Sequence, residues 1–575
     1  MGRESWAQGK SGITRREFID GVLVASAGAA VALGAPGRGS AAGRVMDAGP
    51  GGLDLWNDPS RCHAMAFGSG YEAPAPGGAV LDAVVVGGGF AGLVAAWRLQ
   101  EAGVSDVLLL EKNGTVGGQA RALEQDGVPV AAMGSAYASP PYNDDLAELY
   151  EAVGIVTGWT ADGEPVVDPR FLLRPPYARH FIDGAWYDDP WASEAAMDAL
   201  PYPAPVVAGL RALRDDVSDW WDFVGSDGRS AFGWPPDEST VDPRVRRLDG
   251  KTLLEYVRER GWPDETAVFF DPFLRSVFGI GSDRLSAWVA LDFLTEEILP
   301  GGPDESAICL VGGNAALAWR IEALLEPGTV RTGAFAFRVE NRGSLVQVSF
   351  LDGDTPRAIL CRTAVLACPR LIVPHIVPGL TEETGGGAFG YSTYLVANVH
   401  VSRTPEGLAY ANEVHGEHPF TDFVVADWAA YDDPSAAPPD RPNILTVYAA
   451  RTDRRGVGHE PFESIEASIL DGLEAVLPGV RDTVTGFDLF RWGHPMVLDE
   501  PGFLFSEARI AAGRRVGRIL FAGHETVGIP YIDSAITSGF RAASEALELL
   551  GRPARRPGGR VGREAARRGR PRRGV

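Results

Sequence analysis

The apolar pattern changes period along the chain. From residue 80 to residue 111 a continuous apolar run, Ala83 to Val86, leads through Gly87-Gly88-Gly89 into apolar positions at helical spacing from Phe90 to Leu99, then into a second apolar run, Val107 to Leu110, ending on Glu111. Short runs without polar alternation predict strands buried on both faces, and the 3.6-residue period between them predicts a helix, so this segment reads as one βαβ unit. Residues 467–480 predict a second helix, stopped by Pro478-Gly479. Between 170 and 300 the pattern differs, with Tyr177, Trp186, Tyr187, Trp191, Trp220, Trp221, Trp234 and Trp262 interleaved with proline-rich turns and acidic patches. Large aromatics in such a setting are expected in a core.

Composition narrows the class. With 575 residues, 45% hydrophobic and 22% charged, and a mean hydropathy of -0.04, the chain is expected to be soluble and to hold two to four domains; disordered, collagen-like and polytopic membrane classes are excluded. The net charge of -23 is uneven, because residues 552–575 carry ten arginines against Glu564 alone. The body before that tail is therefore strongly acidic, which disfavours nucleic acid as a partner and favours cationic ligands at long range. The tail lacks apolar residues for packing and is expected to be disordered. Four cysteines, Cys62, Cys309, Cys361 and Cys368, are too scattered for a disulfide framework or a zinc site, leaving room for one disulfide. No metal site is expected.

The glycines of the βαβ unit have separate tasks. Gly87 permits the tight turn, Gly89 lets the backbone approach a pyrophosphate, and Gly92 lets helix and strand pack closely, while Phe90 and Ala91 open a helix whose N-terminus faces phosphate charge. Glu111, 19 residues beyond Gly92 and followed by Lys112, can accept from ribose hydroxyls and would repel a 2'-phosphate, which argues against NADP. This fingerprint by itself does not choose between NAD and FAD.

At the N-terminus, Thr14-Arg15-Arg16-Glu17-Phe18-Ile19 precedes the apolar, small-residue stretch 21–35, which is too short to span a bilayer. The segment resembles a twin-arginine export signal, with Asp20 where a lysine is usual and Ser40-Ala41-Ala42 offering a cleavage site after Ala42. The resemblance implies passage through the twin-arginine translocase, a periplasmic or extracellular location and no stable membrane span. That route carries folded proteins and suits an enzyme that acquires its cofactor before export.

Thr115 to Arg121, TVGGQAR, follows the second strand directly. It resembles the GG-x-x-R segment of flavin-dependent amine oxidoreductases, the monoamine and polyamine oxidase family. Gly118, Gln119 and Arg121 would then lie at the FAD diphosphate, Gln119 replacing a frequent arginine. Gly134 and Ser135 resemble the stretch that passes near the isoalloxazine ring. Gly312-Gly313 resembles the return to the FAD domain, residues 329–339 the next strand, with the Ala336 amide at adenine, and 363–369 the strand leading back to the flavin. Residues 519–543, ILFAGHETVGIPYIDSAITSGFRAA, are similar to the second FAD motif of the family, with Gly523 and Glu525 after the strand and a last helix opening near Asp533, Ser534 and Ala535.

The resemblance implies an α/β fold with a Rossmann-like FAD-binding domain of the GR2, amine-oxidase type, and an interleaved α+β substrate domain. The expected division is signal peptide 1–42, extension 43–78, FAD-binding parts 79–165, 301–372 and 511–551, substrate parts 166–300 and 373–510, and tail 552–575. Tyr531 would form one wall of an aromatic cage at the flavin. The second wall falls near His494-Pro495-Met496, so an imidazole or thioether replaces a ring, and His494 is a candidate base or hydrogen-bond donor. No cysteine stands there for a covalent link, so FAD is expected to be noncovalent, a histidyl link through His494 being the alternative. The lysines are Lys10, Lys112 and Lys251, and the family's flavin-facing lysine is missing: the corresponding strand, around Tyr394 to Val401, is apolar at that position. Oxygen, a quinone or a redox carrier remain as acceptors, and an exported spermidine-dehydrogenase-like enzyme is the nearest resemblance. The expected reaction is hydride transfer from a carbon beside an amine nitrogen to flavin N5, the imine then being hydrolysed. The alternatives are a desaturase or oxidase of a C-C or C-O substrate, resembling carotenoid desaturases or protoporphyrinogen oxidase, and a non-catalytic flavin-binding accessory protein.

Overall fold

The computed structural model describes residues 46–553, apart from 48–51, 57–58, 67, 69, 126–127, 162, 300–306, 381–388, 427, 429–441 and 452–459. The export-signal resemblance and the arginine tail beyond residue 553 lie outside the described residues. The fold is mixed α/β, and two sheets carry it.

The first sheet places Val330–Arg331, Val107–Leu110, Leu81–Val86, Thr355–Leu366 and Ile519–Phe521 side by side and parallel. Its sequences lack polar alternation because both faces are covered. Ala83, Val85, Leu109, Val365 and Leu520 face a layer of helices that includes Phe90–Glu101, Asn314–Glu322 and Ile532–Leu549. Val84, Val86, Leu110, Ala364, Leu366, Ile519 and Phe521 face the other way, onto an antiparallel meander formed by Ala334–Arg342, Leu345–Asp352 and the start of Thr355–Leu366. That last strand serves both units: Cys361 pairs with Val346 in the meander and with Leu81 in the parallel sheet.

The second sheet has nine strands of mixed direction. Its centre is Thr393–Val401, flanked by Asn443–Arg451 and Val484–Trp492. The extension joins it, since Gly52–Trp56 runs parallel to Val484–Trp492 and Asp54 pairs with the buried Arg491 at 2.8 Å. At the far side Ala178–Ile182 runs parallel to Ala411–Val414. The aromatic-rich segment forms a helical layer around Ala204–Asp222 and Ala287–Ile298, with Trp288 fully buried and Trp191 stacked on Phe270 at 5.7 Å. The expected second helix spans Phe462–Val476, and beyond it Gly479 donates its N–H to Glu474 at 2.7 Å. All four cysteines are free thiols, so the disulfide for which the sequence left room is not formed. No helix among the described residues is long and apolar enough to cross a membrane.

Candidate active site

Where the first strand ends, backbone meets backbone. Gly87 has φ +109°, and a Cβ there would stand 2.5 Å from the Ala367 carbonyl oxygen; a Cβ on Gly92 would stand 1.9 Å from the Gly87 oxygen. Neither position accepts a side chain. Gly89 and Gly118 face each other, because a Cβ on Gly118 would lie 3.0 Å from the Gly89 Cα. Their bare backbones leave a cradle at the N-terminus of Phe90–Glu101, where amides and the helix dipole favour an anion.

The acid and the arginine of this region act on the cradle itself. Glu111 Oε2 accepts from the Gly88 N–H at 2.7 Å, and Oε1 accepts from Asn113 N and Nδ2 at 2.8 and 2.7 Å. Lys112 Nζ donates to Asn113 Oδ1 at 3.1 Å. Ala334 N–H donates to the Glu111 carbonyl at 2.8 Å, which brings the strand of Ala336 against this corner. Arg121 is buried; its Nε donates to the Gly118 carbonyl at 3.0 Å while its guanidinium lies 5.3 Å from Phe490 and 5.7 Å from Trp492. Burial lowers its pKa, and the Glu111 charge opposes that shift. Gln119 is half-buried, and its carbonyl leaves no room for a Cβ at Gly134, which would stand 2.0 Å away.

The stretch Ala132 to Ser135 is held from the second sheet, one carbonyl after another. Asn398 Nδ2 donates to Ala132 O at 2.9 Å, Trp492 Nε1 to Met133 O at 2.8 Å, and the Tyr448 hydroxyl to Gly134 O at 2.9 Å. These three donors come from three adjacent strands. Ser135 Oγ accepts from Asn314 Nδ2 at 2.5 Å, at the helix that the Gly312-Gly313 pair introduces. The central strand also buries an amide: Asn398 accepts from Thr446 Oγ1 at 2.7 Å. Its neighbour Tyr394 donates to the Ser276 carbonyl at 3.0 Å.

The C-terminal block closes the site. Gly523, at φ +136°, donates its N–H to Ser538 Oγ at 2.9 Å. Glu525 is buried, and its Oε1 accepts from Arg370 N at 3.0 Å and the Tyr391 hydroxyl at 3.3 Å. Burial, then the Glu525 charge, pushes the Tyr391 hydroxyl well above its ordinary pKa. The last helix, Ile532–Leu549, lies directly on the first, since a Cβ at Gly539 would meet Ala91 O at 2.7 Å. In its first turn, Asp533 Oδ2 accepts from the Tyr142 hydroxyl at 2.9 Å, and burial pushes this carboxyl up to about 6. Ala535 N–H reaches the carbonyl of Tyr531, whose ring packs on Phe293 at 5.3 Å. His494 meets Tyr391 instead, at 6.1 Å, and Met496 accepts through its main-chain oxygen from Ser392 N at 2.9 Å.

Several buried polar atoms around these elements have no protein partner. They include Nε and Nη1 of Arg370, whose guanidinium stands 4.1 Å from the Phe521 ring, together with Ser534 Oγ, Asp533 Oδ1 and Asn314 Oδ1. Such groups are costly unless a ligand or water completes them. A glycine cradle at a helix N-terminus and unpartnered donors beside a second helix N-terminus fit a large dinucleotide carrying a diphosphate. The sequence missed Arg370, Tyr391, Asn398, Tyr448 and Trp492. Strand pairing brings Asn398, Tyr448 and Trp492 to the site, and Arg370 and Tyr391 reach it through their hydrogen bonds to Glu525.

Comparison with known proteins agrees with this geometry. Residues 90–547 match the model of the flavin containing amine oxidoreductase family. The chain is 25% identical to amine oxidase [flavin-containing] B of Cavia porcellus, over 82% of this chain and 87% of that one, and 23% identical to oxidoreductase PigB of Serratia sp. (strain ATCC 39006), over 82% and 75%. Among solved structures, cyclohexylamine oxidase from Brevibacterium oxydans IH-35A superposes with a TM-score of 0.61 at 20% identity, covering 82% of this chain and 100% of that one. Wild-type putrescine oxidase bound to putrescine gives 0.60 at 18% identity, with the same coverage. Such a span of the family model, together with a dinucleotide cradle and a C-terminal helix closing on it, places the chain in the flavin containing amine oxidoreductases, as an FAD-dependent enzyme.

Proposed function

We propose that this protein is an exported amine dehydrogenase or oxidase whose substrate loses a hydride from the carbon beside a neutral nitrogen. Bound FAD supplies the hydride acceptor at N5, and the imine product is hydrolysed by water. In this reading the backbone at Gly87, Gly89 and Gly118 and the helix opening at Phe90 and Ala91 bind the diphosphate, with Gln119 beside them. Arg121 and Glu111 hold that loop in shape, Glu111 keeping acceptor capacity for a ribose hydroxyl next to Lys112 and the Ala336 amide. Gly134 and Ser135, in the stretch fixed by the three donors of the second sheet, would help hold the flavin ring. Gly523, Glu525, Ser534 and Ala535 complete the far side, where amides of the last helix oppose negative charge at the pyrimidine end.

The observation that carries the reading is the position of Tyr531. It caps the helix whose first turn holds the unpartnered Ser534 Oγ, and Phe293 braces its ring at 5.3 Å. One short segment therefore joins a substrate wall to the flavin-facing amides. Tyr531 would orient the amine and exclude water, and His494, beside Tyr391, would donate a hydrogen bond or take a proton. Lys251 pairs with Glu259 and Lys112 with Asn113, and the central strand Thr393–Val401 carries no lysine. This supports a quinone or carrier protein over oxygen as acceptor.

Anaerobic bleaching of the purified flavoprotein against monoamines, polyamines, amino acids and apolar alkenes, followed by air, tests the reading. Bleaching by an amine with slow recovery in air is expected; rapid recovery makes it an oxidase, and bleaching by alkenes alone replaces amine oxidation with the desaturase alternative. Export is tested separately by fusing residues 1–42 to a folded reporter and replacing Arg15 and Arg16 by lysine, which should hold the reporter in the cytoplasm.

A further inference from the structure

Away from the cradle, where Ala178–Ile182 runs parallel to Ala411–Val414, His180 stands opposite Glu413, and His415 follows on the same face two residues later. The His415 N–H donates to the Phe181 carbonyl at 3.0 Å, which fixes the chain as it leaves the strand. His180 Nδ1 lies 3.1 Å from His415 Nε2 and 3.4 Å from Glu413 Oε2, and one ligand atom from each residue falls within 4.8 Å of the others.

We propose that His180, Glu413 and His415 form a binding site for a divalent transition metal of the zinc class. Two ligand atoms, each about 2.0–2.2 Å from a tetrahedral zinc ion, stand about 3.3–3.5 Å apart, close to the two separations found here. A proton on His180 Nδ1 makes one good hydrogen bond, whereas three lone-pair atoms converge on this point; one cation satisfies all three. Two imidazoles and a carboxylate suit zinc, leaving a fourth position for water.

The surroundings favour a metal over a solvated ion pair. His180 is 1% exposed and Glu413 7%, while His415 is half-buried and gives the open side. Phe269 packs on both imidazoles, at 5.5 and 5.0 Å, fixing their planes and drying the site. Asp189, held by the Trp191 N–H at 2.9 Å, adds a second negative charge within electrostatic reach of His180. The bound ion would clamp the edge hairpin to the strand beside it.

The test is zinc titration of the intact flavoprotein after dialysis against EDTA, read by calorimetry and elemental analysis. Wild type should bind about one zinc, and X-ray absorption of the zinc-loaded protein should show two imidazoles and one carboxylate. His415→Ala and, independently, Glu413→Gln should each weaken zinc binding strongly; neither should alter the flavin absorbance. If wild type takes up no zinc, the cluster is a proton-bridged histidine pair and the proposal falls. It also falls if His415→Ala binds zinc as wild type does, or if absorption shows other ligands. Wild-type uptake and ligand identity decide the matter even if both variants fail to fold.

Discussion

The two sheets handle chemistry by opposite means. In the parallel sheet the important surfaces are bare backbone: Gly87, Gly89, Gly92 and Gly118 leave space where any Cβ would strike a main-chain atom or fill the cradle. In the nine-stranded sheet the important groups are side chains from distant segments, with Asn398, Tyr448 and Trp492 reaching across to three successive carbonyls. Glycine at a tight contact has no substitute, so the first region is rigidly specified residue by residue. A donor to a carbonyl can come from several residue types on any nearby strand, so the second region is specified by register. Gly134 is where they meet: Gln119 presses on it from one side and Tyr448 holds its carbonyl from the other.

Breaking the first region should have the largest effect. Gly92→Ala puts a methyl 1.9 Å from the Gly87 oxygen, more than the about 1–3 kcal/mol of ordinary overpacking; the purified variant should contain almost no FAD by absorbance. Gly493→Ala, beside His494 with nothing within 4 Å of the new Cβ, should keep its flavin. Equal FAD loss in both would erase the distinction between the sheets.

Tyr531→Ala should retain FAD and slow flavin reduction on the order of 10²-fold, and Tyr531→Phe should recover most of it. Unchanged reduction in Tyr531→Ala would remove this residue from the substrate wall.

A pH series probes the second region. Burial pushes Asp422, which accepts from Thr421 Oγ1 at 2.7 Å, up to about 7. Its folded pKa lies above its unfolded one, so its stabilising contribution is complete below about pH 4 and is lost as pH rises through about 7. Urea unfolding of wild type from pH 4 to 8 should show that decline, and Asp422→Asn should flatten it by about 2–4 kcal/mol. An identical slope in the variant would show that Asp422 is ionised in the fold.

Trp492→Phe leaves the Met133 carbonyl without its donor and should cost about 1–3 kcal/mol, seen as a lower Tm and altered flavin circular dichroism. Lys112→Ala should do least, weakening FAD by no more than about fivefold in a titration of the apoprotein. A larger loss there would mean that side-chain charge, and not backbone shape, governs the cradle.

The sequence by itself determined the βαβ unit, the glycine cradle with Glu111 at its corner, and the C-terminal strand and helix with Glu525 and Tyr531 between them. These depend on local backbone geometry, which fixes residue type at fixed spacing. It also expected the aromatics of 170–300 in a core, and the eight named ones are half-buried, packed against the edges of two cores. Only the tertiary structure decided that Glu111 holds Gly88, that Arg121 braces Gly118, that Arg370 lies buried beside Glu525, and that Asn398 holds the Ala132 carbonyl. The same holds for the pair His180 and His415, 235 residues apart. Such groups meet only when strands pair in one register and burial removes their water, and neither is written in any local pattern of residues.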